Sequence, residues 1–131
     1  MFGKLQGRID FVGNNFAIVM AGGIGFKVLV PSGLLVAMHA GEETVLWTET
    51  IVREDSISLV GFEAFADQEL FIKLTGVSGI GPKLALAMLG ACKAAALEAA
   101  IANGDALTLT SIPGVGKKVA ERIIVELKGK V

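Results

Sequence analysis

Only one cysteine, Cys92, occurs in the 131 residues, so no disulfide can form within the chain. A lone thiol without a cystine framework fits a reducing compartment such as the cytosol. Histidine is equally scarce. His39 stands alone, with no Ser/His/Asp set and no cluster of metal ligands around it in sequence, and reads as a loop residue. No apolar run is long enough to span a bilayer. The greasiest stretch, GACKAAALEAAIANG, is interrupted by Lys93 and Glu98. No signal peptide is expected, because the N-terminus enters an alternating strand pattern instead of an uninterrupted apolar region. A charge excess is missing too. The net charge of −1, taken alone, argues against a polyanionic partner.

What is present changes that reading. Hydrophobic residues make up 53% of the chain, enough for a core. The charge is divided unevenly. Residues 1–72 hold four Lys/Arg against nine Asp/Glu, whereas residues 73–131 hold eight against four. A polyanion is drawn to the second part and repelled by the first.

The first sixty residues read as strands: GKLQGRIDFV, NNFAIVM, GFKVLVP, TVLWTETIV and SISLVGF. Turn signals separate them at GNN, AGGIG and AGEE. Five short strands at regular spacing suggest a small closed barrel. The segment PSGLLVAMHAG interrupts them as a short helix or an irregular crossing. From Glu63 the period becomes helical, and AFADQELFIKL places Phe65, Leu70, Phe71 and Leu74 on one face. Short helices follow, punctuated by Gly, Pro and Asn. The expected class is α+β with segregated domains: a barrel over 1–62 and an all-α domain over 63–131.

The helical part contains an internal repeat. Thr75, Gly79, Gly81, Lys83 and Ala85 recur at one constant offset as Thr110, Gly114, Gly116, Lys118 and Ala120. Val77, Ile80, Leu84, Met88 and Leu89 keep their aliphatic character as Ile112, Val115, Val119, Ile123 and Ile124. Two supersecondary units of one build are expected. In each, a helix ends, the chain turns through Gly79-Ile80-Gly81 or Gly114-Val115-Gly116, and a second helix starts. Pro82 suits the first helical position. The glycines permit positive φ. Ile80 can fasten its turn to the core, and Ala85 allows close helix packing. Free N–H groups at a helix start form an anion site. Lys83, Lys117 and Lys118 oppose the helix dipole there, which makes sense if an anion is bound. Two such sites suit successive phosphates of a nucleic-acid backbone. Lys117 stands where the first copy has Pro82, so the second site is expected to hold phosphate more strongly. The spacing Gly76 to Gly81 also matches the start of a nucleotide-binding P-loop. Pro82, Lys83 and Leu84 follow instead of Lys and Ser or Thr, so nucleotide hydrolysis is not expected.

These repeats resemble helix-hairpin-helix motifs, which bind the phosphate backbone without reading sequence. VREDSISLVGF, GVSGIGPKLALAML and IPGVGKKVAERIIVELKGK, in this order after a strand-rich start at GKLQGRI, closely resemble the RuvA family. That family holds the Holliday-junction-binding subunits of a bacterial branch-migration complex. The resemblance implies an OB-type barrel followed by tandem helix-hairpin-helix motifs. It implies a homotetramer, with an octamer as the alternative, on which four-way junction DNA lies open. It also implies a partner, the hexameric ATPase RuvB, contacted through a small C-terminal domain absent from this chain, which stops at Val131. The implied DNA-binding residues are Gly79, Ile80, Gly81, Lys83, Gly114, Val115, Gly116, Lys117, Lys118 and Arg122.

Glu54 and Asp55 fall between two expected strands. By chemistry alone, such an acidic turn is a solvated loop tip. The resemblance makes the pair a pin at the junction's centre, where carboxylates repel phosphates. Arg122 can reach a phosphate or pair with Glu126 at i, i+4. Trp47 and Phe16 are expected in the barrel core, and Cys92 within a helix as packing. No catalytic set, metal or cofactor is expected. Two other readings stay open: the DNA-binding module of a repair enzyme, and a protein-interaction module with no anion dependence.

Overall fold

The computed structural model describes all residues from 1 to 131. Five strands form: β1 (Lys4–Val12), β2 (Phe16–Ala21), β3 (Ile24–Leu29), β4 (Glu43–Val52) and β5 (Ile57–Phe62). They close into a barrel in the order β1-β2-β3-β5-β4, the OB-like arrangement expected. Only β3 and β5 run parallel. Strand β1 pairs with both β2 and β4, and its register shifts between Ile9 and Phe11. Such an irregularity bends a strand enough to serve two neighbours and close a small sheet.

The crossing between β3 and β4 is a four-residue helix, α1 (Ser32–Leu35), followed by irregular chain. Its Leu35, together with Met38, joins Ile9, Ala17, Val19, Val28, Val30 and Leu46 in one buried cluster. Burying each large aliphatic side chain contributes about 1.5–3 kcal/mol.

Trp47 and Phe16 lie outside that cluster, contrary to expectation. In β4 it is Leu46 and Thr48 that are buried, and Trp47 between them is half-buried on the outer side. Burial of Thr48 is tolerated because its hydroxyl donates to the Phe2 carbonyl. Outside, Trp47 has Lys4 Nζ 4.4 Å from its ring centre and Phe65 edge-on at 5.0 Å. Phe16 carries Lys27 Nζ at 4.5 Å from its ring centre. A cation over an aromatic face offsets part of its exposure.

Five helices follow: α2 (Phe65–Thr75), α3 (Pro82–Ala91), α4 (Ala94–Ala102), α5 (Ala106–Thr110) and α6 (Lys117–Leu127). The chain divides into two compact units, residues 1–68 and 69–131. The boundary placed after Phe62 marks the end of β5. The division by contacts falls later, inside α2, because the first turn of that helix is tied to the barrel. Gln68 Nε2 donates to the Thr48 carbonyl at 2.6 Å, and both residues are buried. Phe65 accordingly does not share the buried face of Leu70, Phe71 and Leu74; it is 49% exposed.

Helices α3 and α4 meet at an angle of 101°, with Cys92 and Lys93 in the break. Cys92 therefore caps α3 with extended backbone instead of lying within a helix. No single helix is long and apolar enough to cross a membrane.

Candidate nucleic-acid interface

The two repeats fold into two hairpins with matching backbones. Gly79 and Gly114 both have φ of +94°, a conformation that L side chains avoid. Gly81 and Gly116 are extended, at φ/ψ of −92°/176° and −87°/175°, and each caps the helix that follows. The hydrogen bonds repeat as well. Ile80 N donates to Val77 O at 3.1 Å, and Val115 N to Ile112 O at 3.0 Å. Ala85 N donates to Gly81 O at 3.1 Å, and Ala120 N to Gly116 O at 2.9 Å.

Packing explains why these positions are aliphatic or small. Val77, Ile80, Ala85 and Met88 are buried, and so are their counterparts Ile112, Val115, Ala120 and Ile123. Ile80 and Val115 thus serve as fasteners, with side chains inward and N–H groups already engaged. The repeated threonines have a role that the sequence did not disclose. Thr75 Oγ1 donates to the Phe71 and Ile72 carbonyls, and Thr110 Oγ1 to the Leu107 carbonyl. The Ile72 and Leu107 carbonyls also accept from Gly76 N and Ser111 N, so each hydroxyl adds a second hydrogen bond at the end of the helix that leads into a hairpin.

The helix starts beyond the hairpins are left open. Neither α3 nor α6 has a side-chain cap or an acidic residue in its first turn. By contrast, the five-residue α5 is capped by Asp105, whose carboxylate accepts from Thr108 N at 3.1 Å. In the first hairpin the N–H groups of Gly81, Lys83 and Leu84 have no partner in the chain. In the second those of Gly116, Lys117, Lys118 and Val119 are free, one donor more because Pro82 has none. Uncapped donors at the positive end of a helix dipole bind anions.

Lys83, Lys117, Lys118 and Arg122 are all exposed. The one salt bridge in the structure joins His39 and Glu42, in the loop before β4, so none of these cations is paired. The expected alternative of an Arg122–Glu126 pair does not form. Arg122 stands one helical turn beyond Lys118, on the same side of α6. The second hairpin thus gathers three cations and the larger donor set.

Glu54 and Asp55 belong to the barrel unit. They occupy the tip of the β4–β5 hairpin, whose last pair is Val52 with Ile57. Arg53 N donates to Ser56 O at 2.8 Å and closes the turn. Every residue from 52 to 57 is exposed, and neither carboxylate has an ion-pair partner. The tip is an unneutralised acidic projection.

Comparison with known proteins matches the two parts of the chain separately. Residues 1–61 match the RuvA N terminal domain, and residues 71–130 match a SAM-like helix-hairpin-helix tandem. Over its full length the chain is 44% identical to the Holliday junction branch migration complex subunit RuvA of Bifidobacterium adolescentis, covering 64% of that protein. It is 46% identical to the Chloroflexus aggregans subunit, covering 68%, and 45% identical to that of Deinococcus radiodurans, covering 65%. The chain thus spans about two thirds of the length of these bacterial relatives. Given that identity over every residue, the chain belongs to the RuvA family.

Proposed function

We propose that this chain binds four-way DNA junctions through its two hairpins, by shape and charge and without reading sequence. The observation that carries the proposal is the duplicated open helix start, with its free N–H groups and unpaired lysines, in a chain whose relatives are named as junction branch-migration subunits. Each hairpin is a clamp for a phosphate of one DNA arm. Phosphate contacts fix position and orientation and carry most of the affinity. The Glu54–Asp55 tip does the opposite: it repels phosphates and discourages strands from stacking across the crossover.

The chain acts as a non-catalytic subunit in the bacterial cytoplasm, with the ATPase RuvB as the motor. A homotetramer would bring four acidic tips and eight clamps to one junction.

Titrating an immobile four-way junction with the chain at several salt concentrations tests the proposal. Affinity should fall linearly on a log–log plot, by a slope of roughly −0.9 per phosphate neutralised. Absence of binding even at low salt would instead favour a protein-interaction module. Replacing Glu54→Gln and Asp55→Asn together should preserve or tighten junction binding. A large loss there would contradict the repulsive role of the tip.

A further inference from the structure

In each hairpin, two consecutive residues at the helix start keep different company. Lys83 and Lys118 are exposed, while the next residues, Leu84 and Val119, are half-buried. Leu84 and Val119 turn toward the opposite hairpin. A Cβ at Gly114 would stand 3.0 Å from Leu84 Cδ1, and one at Gly79 would stand 4.0 Å from Val119 Cγ2. Leu84, behind the first clamp lysine, therefore sits against the glycine that shapes the second clamp, whereas Val119 faces Gly79 at longer range. The two approaches are unequal, at 3.0 Å and 4.0 Å.

Gly114 and Gly79 share a left-handed backbone, lack a side chain and have no hydrogen bond to their N–H within the chain, and Gly114 has the closer neighbour. The free donors of Gly116, Lys117, Lys118 and Val119 follow directly from the course it sets. Close packing transmits displacement, since a gap of even a fraction of an ångström forfeits contact.

We infer that Leu84 is a positioning residue for the second clamp, so that the two clamps work as a coupled pair. The inference rests on the phosphate-clamp reading for its functional consequence; its packing half stands without DNA. It also gives a reason for the duplication. A single hairpin lacks the side chain that seats its own glycine, and the second copy supplies it.

Amide exchange in the free chain tests the packing half. Leu84→Ala should speed exchange at Val115 and Ala120 severalfold, both in the second hairpin, while Ile80 in the first changes by less than about twofold. Leu84→Met should restore the wild-type pattern. Should the alanine variant fold poorly, Leu84→Val, which shortens the side chain to match Val119, should give the same effect in smaller measure. Equal acceleration at Ile80 and Val115 would mean that Leu84 is an ordinary core residue, and would overturn the inference.

Junction affinity tests the functional half through two double-mutant cycles. Leu84→Ala combined with Lys118→Ala should lose at least about threefold less affinity than the product of the single losses. Combined with Lys83→Ala, its immediate neighbour, the losses should multiply. The reverse pattern would refute the coupling. If the wild-type chain fails to bind DNA, the clamp reading falls, and amide exchange still decides whether Leu84 seats Gly114.

Discussion

At the scale of single residues, the two clamps share a backbone but not a charge. Pro82 brings neither donor nor cation where Lys117 brings both. Lys118→Ala should therefore cost more junction affinity than Lys83→Ala, about fivefold against a smaller loss, and should flatten the salt slope by roughly one. Parallel titrations of the two variants measure this; equal losses would mean that the clamps are equivalent. Gly114→Ala is the most damaging conservative change in the hairpins. It forces an L side chain to φ of +94° and 3.0 Å from Leu84 Cδ1. A destabilisation of about 1–3 kcal/mol is expected, read as a lowered unfolding midpoint. The sequence disclosed the glycines, because identity at a fixed offset survives whatever the fold. It did not disclose the Leu84–Gly114 contact. Periodicity tells which face of a helix is buried, but not which neighbour covers it. Trp47 lies on the outside of the barrel for a related reason. Hydrophobicity favours Trp over Thr for the interior, and only the N-terminal segment beside β4 supplies the carbonyl that makes Thr48 the buried residue.

At the scale of elements, the helices divide into those that are capped and those left open. Asp105 caps α5, the helix that delivers the chain into the second hairpin. Its hydrogen bonds to Thr108, first from the side chain and then from the backbone, hold its carboxyl below the usual aspartate range. A group whose pKa is depressed on folding stabilises above its unfolded pKa and loses that contribution as pH falls through the folded value. The cap should therefore be fully present at neutral pH and lost in acid below about pH 4. Asp105→Ala should lower the unfolding midpoint of residues 69–131 at pH 7, and the difference from wild type should vanish in acid. A difference that persists at low pH would show that the cap is not the cause. Element boundaries were legible where turn residues mark them, as with Gly13-Asn14-Asn15 before β2. The break between α3 and α4 was not, because neither Cys92 nor Lys93 is a turn or helix-breaking residue type.

At the scale of the whole molecule, the charge partition organises the account. The barrel unit holds four Lys/Arg against eight Asp/Glu, and the helical unit eight against five. Near-neutral net charge conceals two parts of opposite charge. Exposed apolar residues on the outer barrel, Phe11 and Val45 among them, are consistent with the homotetramer proposed above. Sedimentation equilibrium at micromolar concentration should give a mass near four chains, and a strict monomer would count against that assembly. The barrel and the hairpin tandem were readable from composition, strand spacing and repeat. The acidic tip was not readable as a functional feature by chemistry alone, because exposed carboxylates at a hairpin turn are ordinary; only family resemblance singled it out. The central claim is preference for four-way DNA. It is tested most directly by comparing an immobile four-way junction, a linear duplex of the same arm sequence and a single strand in gel-shift titrations at one salt concentration. Binding to the junction at least about tenfold tighter than to the duplex, and tighter still than to the single strand, is the predicted result. Equal affinity for all three would contradict the account.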